Sequence, residues 1–247
     1  MEYREPGHDE FRDLASRILY EDNHVLVFNK RPGEIVQGDK TGDECLADTL
    51  KAFIAMRDSK PGKVFLGVPH RLDRPVSGIV VFAKTSKALS RLSDMFRRGE
   101  IHKTYWALCC NRPKSSSGEL ADWLSRNEKQ NKSYIVREGT KDAKLARLAF
   151  RHIGDTENYS LLEVNLLTGR HHQIRVQLAH HGMPIWGDAR YGGGRPGQQI
   201  ALWGAHLGLV HPTLKTPMHF DALPPRDAMP WSSFGGEVWR AESQILL

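Results

Sequence analysis

The chain of 247 residues is 40% hydrophobic and 26% charged, a composition that supports a buried core and excludes a disordered protein. No apolar run approaches the roughly 20 residues that a membrane helix requires, and the charged segment from Met1 to Asp13 lacks the apolar core of a signal peptide. The 35 Lys and Arg against 29 Asp and Glu give a net charge of +6, which favours a polyanionic partner because neutralised phosphates release condensed counterions.

Cysteine usage indicates the cellular compartment. Two of the three cysteines, Cys109 and Cys110, are adjacent, so they suit neither a disulfide framework nor a CxxC metal clip. A reducing compartment is the simpler interpretation. We therefore expect a soluble protein of the cytoplasm that has no membrane partner.

The first part of the chain predicts two strands and a helix. Residues 18–20 and 25–28 are apolar strands that flank a polar turn. Asp43 is a candidate N-cap for the helix that follows. Apolar residues recur there at helical spacing, at Leu46, Leu50, Phe53 and Ile54.

A strand, a helix and a second strand follow in the sequence. Residues 78–83 are apolar and β-branched, as in a buried strand, and residues 103–109 alternate like a strand. Thr85 is a candidate N-cap for the helix between them. The stripe of that helix that faces the core consists of Ala88, Leu92, Met95 and Phe96.

The second half of the chain is less regular. Residues 159–165 predict a strand, and the turn at 168–170 leads into a short helix at 171–181. The glycine-rich run at 192–197 predicts a mobile loop, and residues 201–210 predict another strand.

The chain ends in prolines interleaved with Trp231, Phe234 and Trp239, which predicts an irregular tail. Strands outnumber crossover helices along the whole chain, and the βαβ alternation of a doubly wound fold does not occur. We therefore predict an α+β fold with a mixed or antiparallel sheet.

The segment from His70 to Gly78 is the first candidate for chemistry. It precedes an apolar strand, and its proline and glycine favour a loop over a helix. Asp73 stands between Arg71 and Arg74, a setting that suits a nucleophile or a general base. The alternative is a salt bridge within a loop that has no catalytic role.

The segment from Thr168 to Arg175 is the second candidate. A turn that leads into a helix points backbone N–H groups outward, so that anions are favoured at this position. The spacing predicts that Arg175 lies on the same helix face as His171, one turn later. If this helix packs beside the first segment, Arg175 can pair with Asp73. The alternative is a solvated basic helix face.

The strand that begins Lys103-Thr104-Tyr105-Trp106 is the third candidate. Alternation along a strand sends Tyr105 and Trp106 to opposite faces, one toward a core and the other toward a cleft. An aromatic ring beside a lysine suits the stacking of a nucleic-acid base. The alternative is an ordinary core strand.

Together these segments resemble, in order and spacing, the RluA-type pseudouridine synthases. The resemblance runs from about Ile18 to about Pro212 and includes several separated motifs, which makes coincidence improbable. The motifs beyond the three candidate segments are Asn29-Lys30, Lys84-Thr85-Ser86, Gly187-Asp188 and Tyr191-Gly192.

The resemblance implies an α+β catalytic domain built on a long mixed, largely antiparallel sheet, with the active site in a central basic cleft across that sheet. It implies that Asp73 is the catalytic aspartate, that Tyr105 is the active-site tyrosine and that Arg175 is the arginine partner of the aspartate. It further implies that no cofactor and no metal take part. The residues that we expect to contact RNA are Arg71, Arg74, Lys103, Arg170 and His171.

The same resemblance predicts the organisation of the chain and its substrate. We expect an N-terminal extension at residues 1–17 and one catalytic domain at 18–247, without the small N-terminal S4-like RNA-binding domain that many relatives carry. The expected reaction converts a specific uridine of rRNA or tRNA, in a stem-loop, to pseudouridine. We expect a monomer.

Three other functions compete with this interpretation. A catalytically silent RNA-binding protein would share the charge and the fold, but it would not need Asp73, Tyr105 and Arg175 together. A protein kinase would need a Gly-rich loop and an Asp-Phe-Gly motif, which the sequence lacks. A metal hydrolase is suggested by two histidine pairs, but pairs of neighbours on one helix do not all converge. Those pairs are His171-His172 and His180-His181.

Overall fold

The computed structural model describes residues 4–38 and 42–234, so the part of the predicted tail that contains Trp239 lies outside it. The chain divides into two compact units. The first unit consists of the described residues up to Ile101 together with His206–Ala222. The second consists of His102–Ala205 and the described residues from Leu223 onward.

The elements of the first unit come from both ends of the chain. Its helices are α1 (His8–Ser16), α2 (Leu46–Arg57) and α3 (Ser86–Arg98). Its strands are β1 (Ile18–Glu21), β2 (Val25–Lys30), β3 (Ser77–Ala83) and β10 (Pro217–Asp221). Strand β9 (Leu202–Val210) begins in the second unit and ends in the first.

The second unit is mostly antiparallel sheet. Its strands are β4 (His102–Cys109), β5 (Ser117–Asn127), β6 (Lys132–Val136), β7 (Lys144–Asp155) and β8 (Ser160–Leu166). Its helix is α4 (Gln173–His180), and a short 3-10 helix covers Trp231–Ser233. The strand order is β4-β8-β7-β5-β6, with antiparallel neighbours throughout.

The core of the first unit forms where α3 packs on the antiparallel strands β1, β2 and β3. Every residue of β3 is buried, which explains its continuous apolar sequence. The Thr85 hydroxyl accepts a hydrogen bond from the Ala88 N–H at 3.1 Å and begins α3, as predicted. The buried residues of this helix are Ala88, Leu92 and Met95, which confirms most of the predicted stripe.

Two apolar clusters can be followed in the described part of the second unit. In one, Val176 of α4 packs on Leu124 of β5 and Ala146 of β7, so the helix lies against the sheet. In the other, Trp231 and Phe234 of the predicted tail are buried on residues that include Trp106, Leu108 and Leu161. The described part of the tail is therefore anchored by its aromatic side chains.

The glycine-rich run that was predicted to be a mobile loop makes close backbone contacts at Gly193. The Gly193 carbonyl accepts a hydrogen bond from the Gly187 N–H at 2.7 Å, and the Gly193 N–H donates to the Asp188 carbonyl at 2.9 Å. A Cβ on Gly193 would lie 1.8 Å from the Ile185 carbonyl oxygen. Glycine is therefore required at this position because the two backbones touch.

Two other details of the sequence interpretation are wrong. The helix α2 begins after Cys45 without a side-chain cap, because Asp43 instead accepts a hydrogen bond from Arg74 at 2.8 Å. The helix α4 begins after His172, whose φ of 54° is left-handed. His171 therefore precedes the helix and does not share a helix face with Arg175.

The fold class predicted from the sequence, an α+β protein with a mixed, largely antiparallel sheet, is confirmed. The pattern did not indicate helix α1 or strands β5, β6, β7 and β10. Within the described residues, each helix is too short and too polar to cross a lipid bilayer.

Candidate active site

The predicted site residues fall into two groups, one in each unit. The first group lies in the loop that leads into β3 and contains Arg71, Asp73 and Arg74. A tight turn shapes this loop, because the Val76 N–H donates to the Asp73 carbonyl at 2.9 Å. Leu72 is buried beside it, so the backbone at Asp73 is fixed from both sides.

Lys30 holds this loop from within the core. Its side chain is fully buried at the end of β2, and its ammonium group donates to three backbone carbonyls. The distances are 2.6 Å to Val76, 3.1 Å to Arg74 and 2.9 Å to Arg31. Two of these carbonyls follow Asp73 within three residues, so Lys30 determines the path of the chain there.

The charge of Lys30 is constrained by the same surroundings. Burial lowers the pKa of Lys30 to about 8, while the carboxylates of Glu34 and Asp73 act in the opposite direction. Of the two carboxylates, Glu34 has the larger effect on this pKa and Asp73 the smaller. Lys30 thus links the predicted catalytic residue electrostatically to the base of its loop.

His70 anchors the start of the loop to β3. Its Nε2 accepts a hydrogen bond from the Val81 N–H at 2.9 Å, and its ring stacks on Phe96 with 4.3 Å between the ring centroids. An imidazole that accepts at Nε2 carries its proton at Nδ1 when it is neutral. The histidine of the His-Arg-Leu-Asp motif is thus a structural residue here.

The two arginines that flank Asp73 differ in their contacts. Arg74 donates to the Asp43 carboxylate at 2.8 Å and to the Gly33 carbonyl at 3.2 Å, although more than half of its side chain is exposed. Arg71 is exposed. Both side chains are therefore accessible to a polyanion, as their predicted role in RNA binding requires.

The second group begins on β4. Tyr105 pairs with Val164 of β8 and is 8% exposed, while Lys103 is half-buried two residues earlier. Burial lowers the pKa of Lys103. A Cβ on Gly169 would lie 3.6 Å from the Lys103 Nζ, so the structure brings this lysine to the Thr168-Gly169-Arg170 turn.

Gln173 organises that turn. Its side-chain carbonyl accepts hydrogen bonds from the Thr168 hydroxyl at 2.7 Å and from the Arg170 N–H at 2.9 Å, and its amide donates to the Arg147 carbonyl at 3.0 Å. Arg170 remains exposed, and its Nε donates to the Leu145 carbonyl at 3.0 Å. The glutamine of the motif thus ties the basic turn to β7.

Arg175 lies on α4 and makes a buried ion pair with Asp188. Its Nε donates to Oδ2 at 2.7 Å and its Nη2 donates to Oδ1 at 2.9 Å. The guanidinium group also lies 5.4 Å from the centre of the Tyr191 ring. The family resemblance implies that Arg175 pairs with Asp73, and this pairing stays a prediction. The ion pair with Asp188 is an additional contact that the sequence did not indicate.

The two histidines before α4 are held by the β5–β6 hairpin and by Tyr191. The Ser133 hydroxyl contacts the His171 Nδ1 at 2.9 Å, and the Tyr191 hydroxyl contacts the His172 Nδ1 at 2.9 Å. Burial, together with the charge of Arg175, lowers the pKa of His172 to about 2. His172 is therefore neutral at physiological pH.

Sequence reasoning missed the supporting residues rather than the motifs. Lys30 and Asp188 belong to two-residue motifs of the family resemblance, Asn29-Lys30 and Gly187-Asp188. Nothing in these motifs indicates that the two side chains are buried. Gln173 lies within the second candidate segment, but its position in the sequence predicts no role for it. A buried charged residue beside a motif is the signal that finds such residues, but burial is known only from the fold.

Comparison with known proteins agrees with the fold. The solved human RNA pseudouridylate synthase domain containing 4 has a TM-score of 0.73 and 24% identity, covering 90% of this chain and 93% of that one. The human RNA pseudouridylate synthase domain containing 1 has a TM-score of 0.67 and 21% identity, covering 93% and 94%. The fold is therefore that of a pseudouridylate synthase domain.

Similarity in sequence identifies the family. A family profile described as RNA pseudouridylate synthase matches residues 24–180. The chain is 34% identical over 235 residues to the ribosomal large subunit pseudouridine synthase D of Zymomonas mobilis, covering 90% of this chain and 73% of that protein. The chain belongs to the RNA pseudouridylate synthase family, which confirms the predicted enzyme class, an isomerase.

A second relative is the ribosomal large subunit pseudouridine synthase C of Vibrio vulnificus. It is 34% identical over 218 residues, which cover 85% of this chain and 66% of that protein. This chain thus spans about two thirds to three quarters of the length of the two relatives described here.

Proposed function

We propose that this protein converts a specific uridine of large-subunit ribosomal RNA to pseudouridine, with Asp73 as the catalytic carboxylate. Both relatives described above are ribosomal large subunit pseudouridine synthases, which supports ribosomal RNA as the substrate. The tRNA alternative, the monomeric state and a location in the cytoplasm stay predictions.

The observation that carries the proposal is the fixed backbone of the Asp73 loop. Lys30, His70 and Arg74 each bind backbone atoms at a different point of this part of the first unit. An exposed loop that only carried a salt bridge would not need a fully buried lysine beneath it. Such a support is what a carboxylate needs if it must meet a ribose in one orientation.

The chemistry requires that the uridine leaves its stack, because the glycosidic bond is inaccessible within a helix. The C1′–N1 bond breaks, the uracil turns, and its C5 is joined to C1′. C5 loses a proton and N1 gains one, so the product is an isomer of the substrate. Asp73 acts on the ribose, either by attack at C1′ or by removal of the C2′ proton.

The remaining predicted residues take supporting roles in this proposal. Tyr105 stacks on the flipped base and assists removal of the C5 proton. Arg175, which Asp188 holds in one orientation, is the proposed arginine partner of the Asp73 carboxylate. Cations of each unit bind the RNA backbone in this proposal. They are Arg71 and Arg74 in the first unit, and Lys103, Arg170 and His171 in the second.

No redox, phosphoryl or acyl transfer occurs in this reaction. We therefore propose that the isomerisation uses neither an organic cofactor nor a metal ion. The net charge of +6 contributes to binding because contacts with phosphates release counterions.

The substitution Asp73→Asn tests the proposal because it retains the size of the side chain and removes its charge. We expect the single-turnover rate on a responsive RNA to fall by more than about 1000-fold, while the RNA dissociation constant changes by less than about threefold. Asp58→Asn is the matched control, since Asp58 is a surface carboxylate of the same unit that pairs with Arg57. A rate near that of the wild type in Asp73→Asn would refute the assignment.

The substrate is identified by mapping pseudouridines in total RNA from cells with and without the gene. We expect one or a few sites in large-subunit ribosomal RNA to depend on the gene. Sites that appear only in tRNA would overturn the choice of substrate but not the reaction. A purified wild-type protein that binds RNA without turnover on any RNA from the deletion strain would indicate the silent RNA-binding protein instead.

A further inference from the structure

Two histidines and an aspartate meet at the C-terminal end of α4. His180 is the last residue of this helix, His181 follows it, and Asp122 lies on β5. One nitrogen of each histidine and one carboxylate oxygen of Asp122 all lie within 4.8 Å of one another. We propose that these three side chains bind a divalent transition-metal ion, with Zn²⁺ as the ion that suits them best.

The geometry already approximates a ligand set. The His181 Nε2 lies 3.2 Å from each carboxylate oxygen of Asp122. Two ligands on one tetrahedral Zn²⁺, with bonds of about 2.0–2.2 Å, lie about 3.4 Å apart. The donor nitrogen of His180 lies within 4.8 Å of the other two donor atoms, and its exposed side chain has room to turn toward them.

The surroundings of Asp122 favour a positive charge and fix the carboxylate. The Gln177 amide donates to the Asp122 Oδ2 at 2.7 Å and reaches the Ala146 carbonyl at 3.3 Å, so Asp122 is oriented by a buried side chain. The C-terminal end of a helix carries a partial negative charge, which adds to the attraction for a cation.

The donor atoms select the kind of ion. Imidazole nitrogens together with a carboxylate suit Zn²⁺, Ni²⁺ and Cu²⁺, whereas Mg²⁺ and Ca²⁺ prefer sets of oxygen ligands. Both histidines are exposed, so water completes the coordination. The other histidine pair does not join this cluster, because His171 contacts Ser133 and His172 contacts Tyr191.

The bound ion would act as a cross-link rather than as a catalyst. It would join β5 to the end of α4, the helix that carries Arg175 near its other end. His180 is five positions after Arg175, which corresponds to a rise of about 7.5 Å along the helix. The ion therefore fixes the position of α4 on its sheet and takes no part in the proposed isomerisation.

Titration of the metal-free protein with Zn²⁺ by isothermal calorimetry tests the proposal. We expect one saturable Zn²⁺ per chain in the wild type, and a rise in Tm on binding. His180→Ala, His181→Ala and Asp122→Asn should each weaken binding by at least about tenfold. Two substitutions affect exposed histidines, so these variants retain the fold.

His152→Ala is the matched control because His152 also contacts a carboxylate of the second unit, Asp155, at 2.8 Å. We expect it to bind Zn²⁺ like the wild type. The proposal is overturned if the wild type shows no saturable binding, if His180→Ala binds as tightly as the wild type, or if Mg²⁺ competes at equal concentration. The readout does not involve RNA, so this result is independent of the proposed isomerisation.

Discussion

Arg175 and Asp188 face each other through two parallel hydrogen bonds, 2.7 Å from Nε to Oδ2 and 2.9 Å from Nη2 to Oδ1. Their side chains are only 7% and 1% exposed. Burial of either charge alone would cost several kcal/mol, so each residue depends on the other for its place in the core. Arg175 thereby gains a fixed orientation on α4.

This dependence predicts a large effect of Asp188→Asn on stability. The variant removes the negative charge that holds the buried Arg175 guanidinium group at two points, and we expect the free energy of unfolding to fall by about 3–5 kcal/mol. Urea denaturation measures this change. Glu163→Gln is the control, because Glu163 also accepts hydrogen bonds from the Nε and Nη2 of one arginine, Arg151. The Arg151 side chain is 44% exposed, so its charge remains solvated in the variant. We expect it to cost less than about 1 kcal/mol.

The substitution Arg175→Lys tests the role of the guanidinium group in the reaction. Lysine retains the positive charge but lacks the planar fork that binds a carboxylate at two points. We expect the single-turnover rate to fall at least about tenfold, while RNA affinity changes by less than about threefold. A rate equal to that of the wild type would show that the geometry of Arg175 is not needed for turnover.

Lys30→Met tests the support of the Asp73 loop. Methionine fills a similar volume but donates no hydrogen bond, so the carbonyls of Arg31, Arg74 and Val76 lose a shared donor. We expect the free energy of unfolding to fall by about 3 kcal/mol, measured by urea denaturation. Lys51→Met, which removes the surface pair with Asp48, should change it by less than about 1 kcal/mol.

The lowered pKa of His172 predicts a loss of stability in acid. Burial lowers this pKa from 6.5 to about 2, so below pH 6.5 the unfolded chain takes up a proton that the folded protein does not. The free energy of unfolding therefore falls as the pH drops below 6.5, and this residue contributes about 2 kcal/mol of the loss by pH 5.

The variant His172→Asn isolates this contribution, because asparagine tolerates the left-handed φ of 54° and does not titrate. We expect its free energy of unfolding to change less between pH 7 and pH 5 than that of the wild type. His219→Asn, at an exposed position on β10, should retain the wild-type pH dependence. An unchanged pH dependence in His172→Asn would contradict the prediction.

The effects of a chelator on the rate constant and of salt on RNA binding distinguish the proposed mechanism from metal-dependent hydrolysis. On a small stem-loop that folds in monovalent salt, EDTA should leave the rate constant unchanged in the wild type and in His180→Ala. RNA binding should nevertheless weaken as monovalent salt rises, because the contacts with phosphates release counterions. Loss of turnover on chelation, with recovery on addition of one specific metal, would contradict a metal-free reaction.

The sequence predicted those elements whose apolar pattern is complete. Strand β3 is buried along its whole length and α3 has a regular stripe, so both were found within one or two residues. Strands β5 and β7 were missed because many of their residues are exposed and polar. The buried residues Ala146 and Leu148 of β7 are too few to indicate a strand by themselves.

The supporting contacts could not be predicted because they join residues far apart in the sequence. Asp122 and His181 are 59 residues apart, and Lys30 and Val76 are 46 residues apart. The predicted cap at Asp43 is absent because Arg74, 31 residues away, binds the same carboxylate. Local propensity describes neighbours along the chain, whereas these partners are selected by the topology of the fold.

The three hydrogen bonds of Lys30 have a thermodynamic consequence for ligand binding. When a loop becomes ordered only on binding its ligand, it loses conformational entropy at that step, and this loss weakens binding and slows the reaction. Here the backbone beyond Asp73 is already immobilised when the protein folds. In the proposed reaction, interactions with the nucleotide can then be devoted to unstacking the base, because the loop is ordered once, when the protein folds, and not at each turnover.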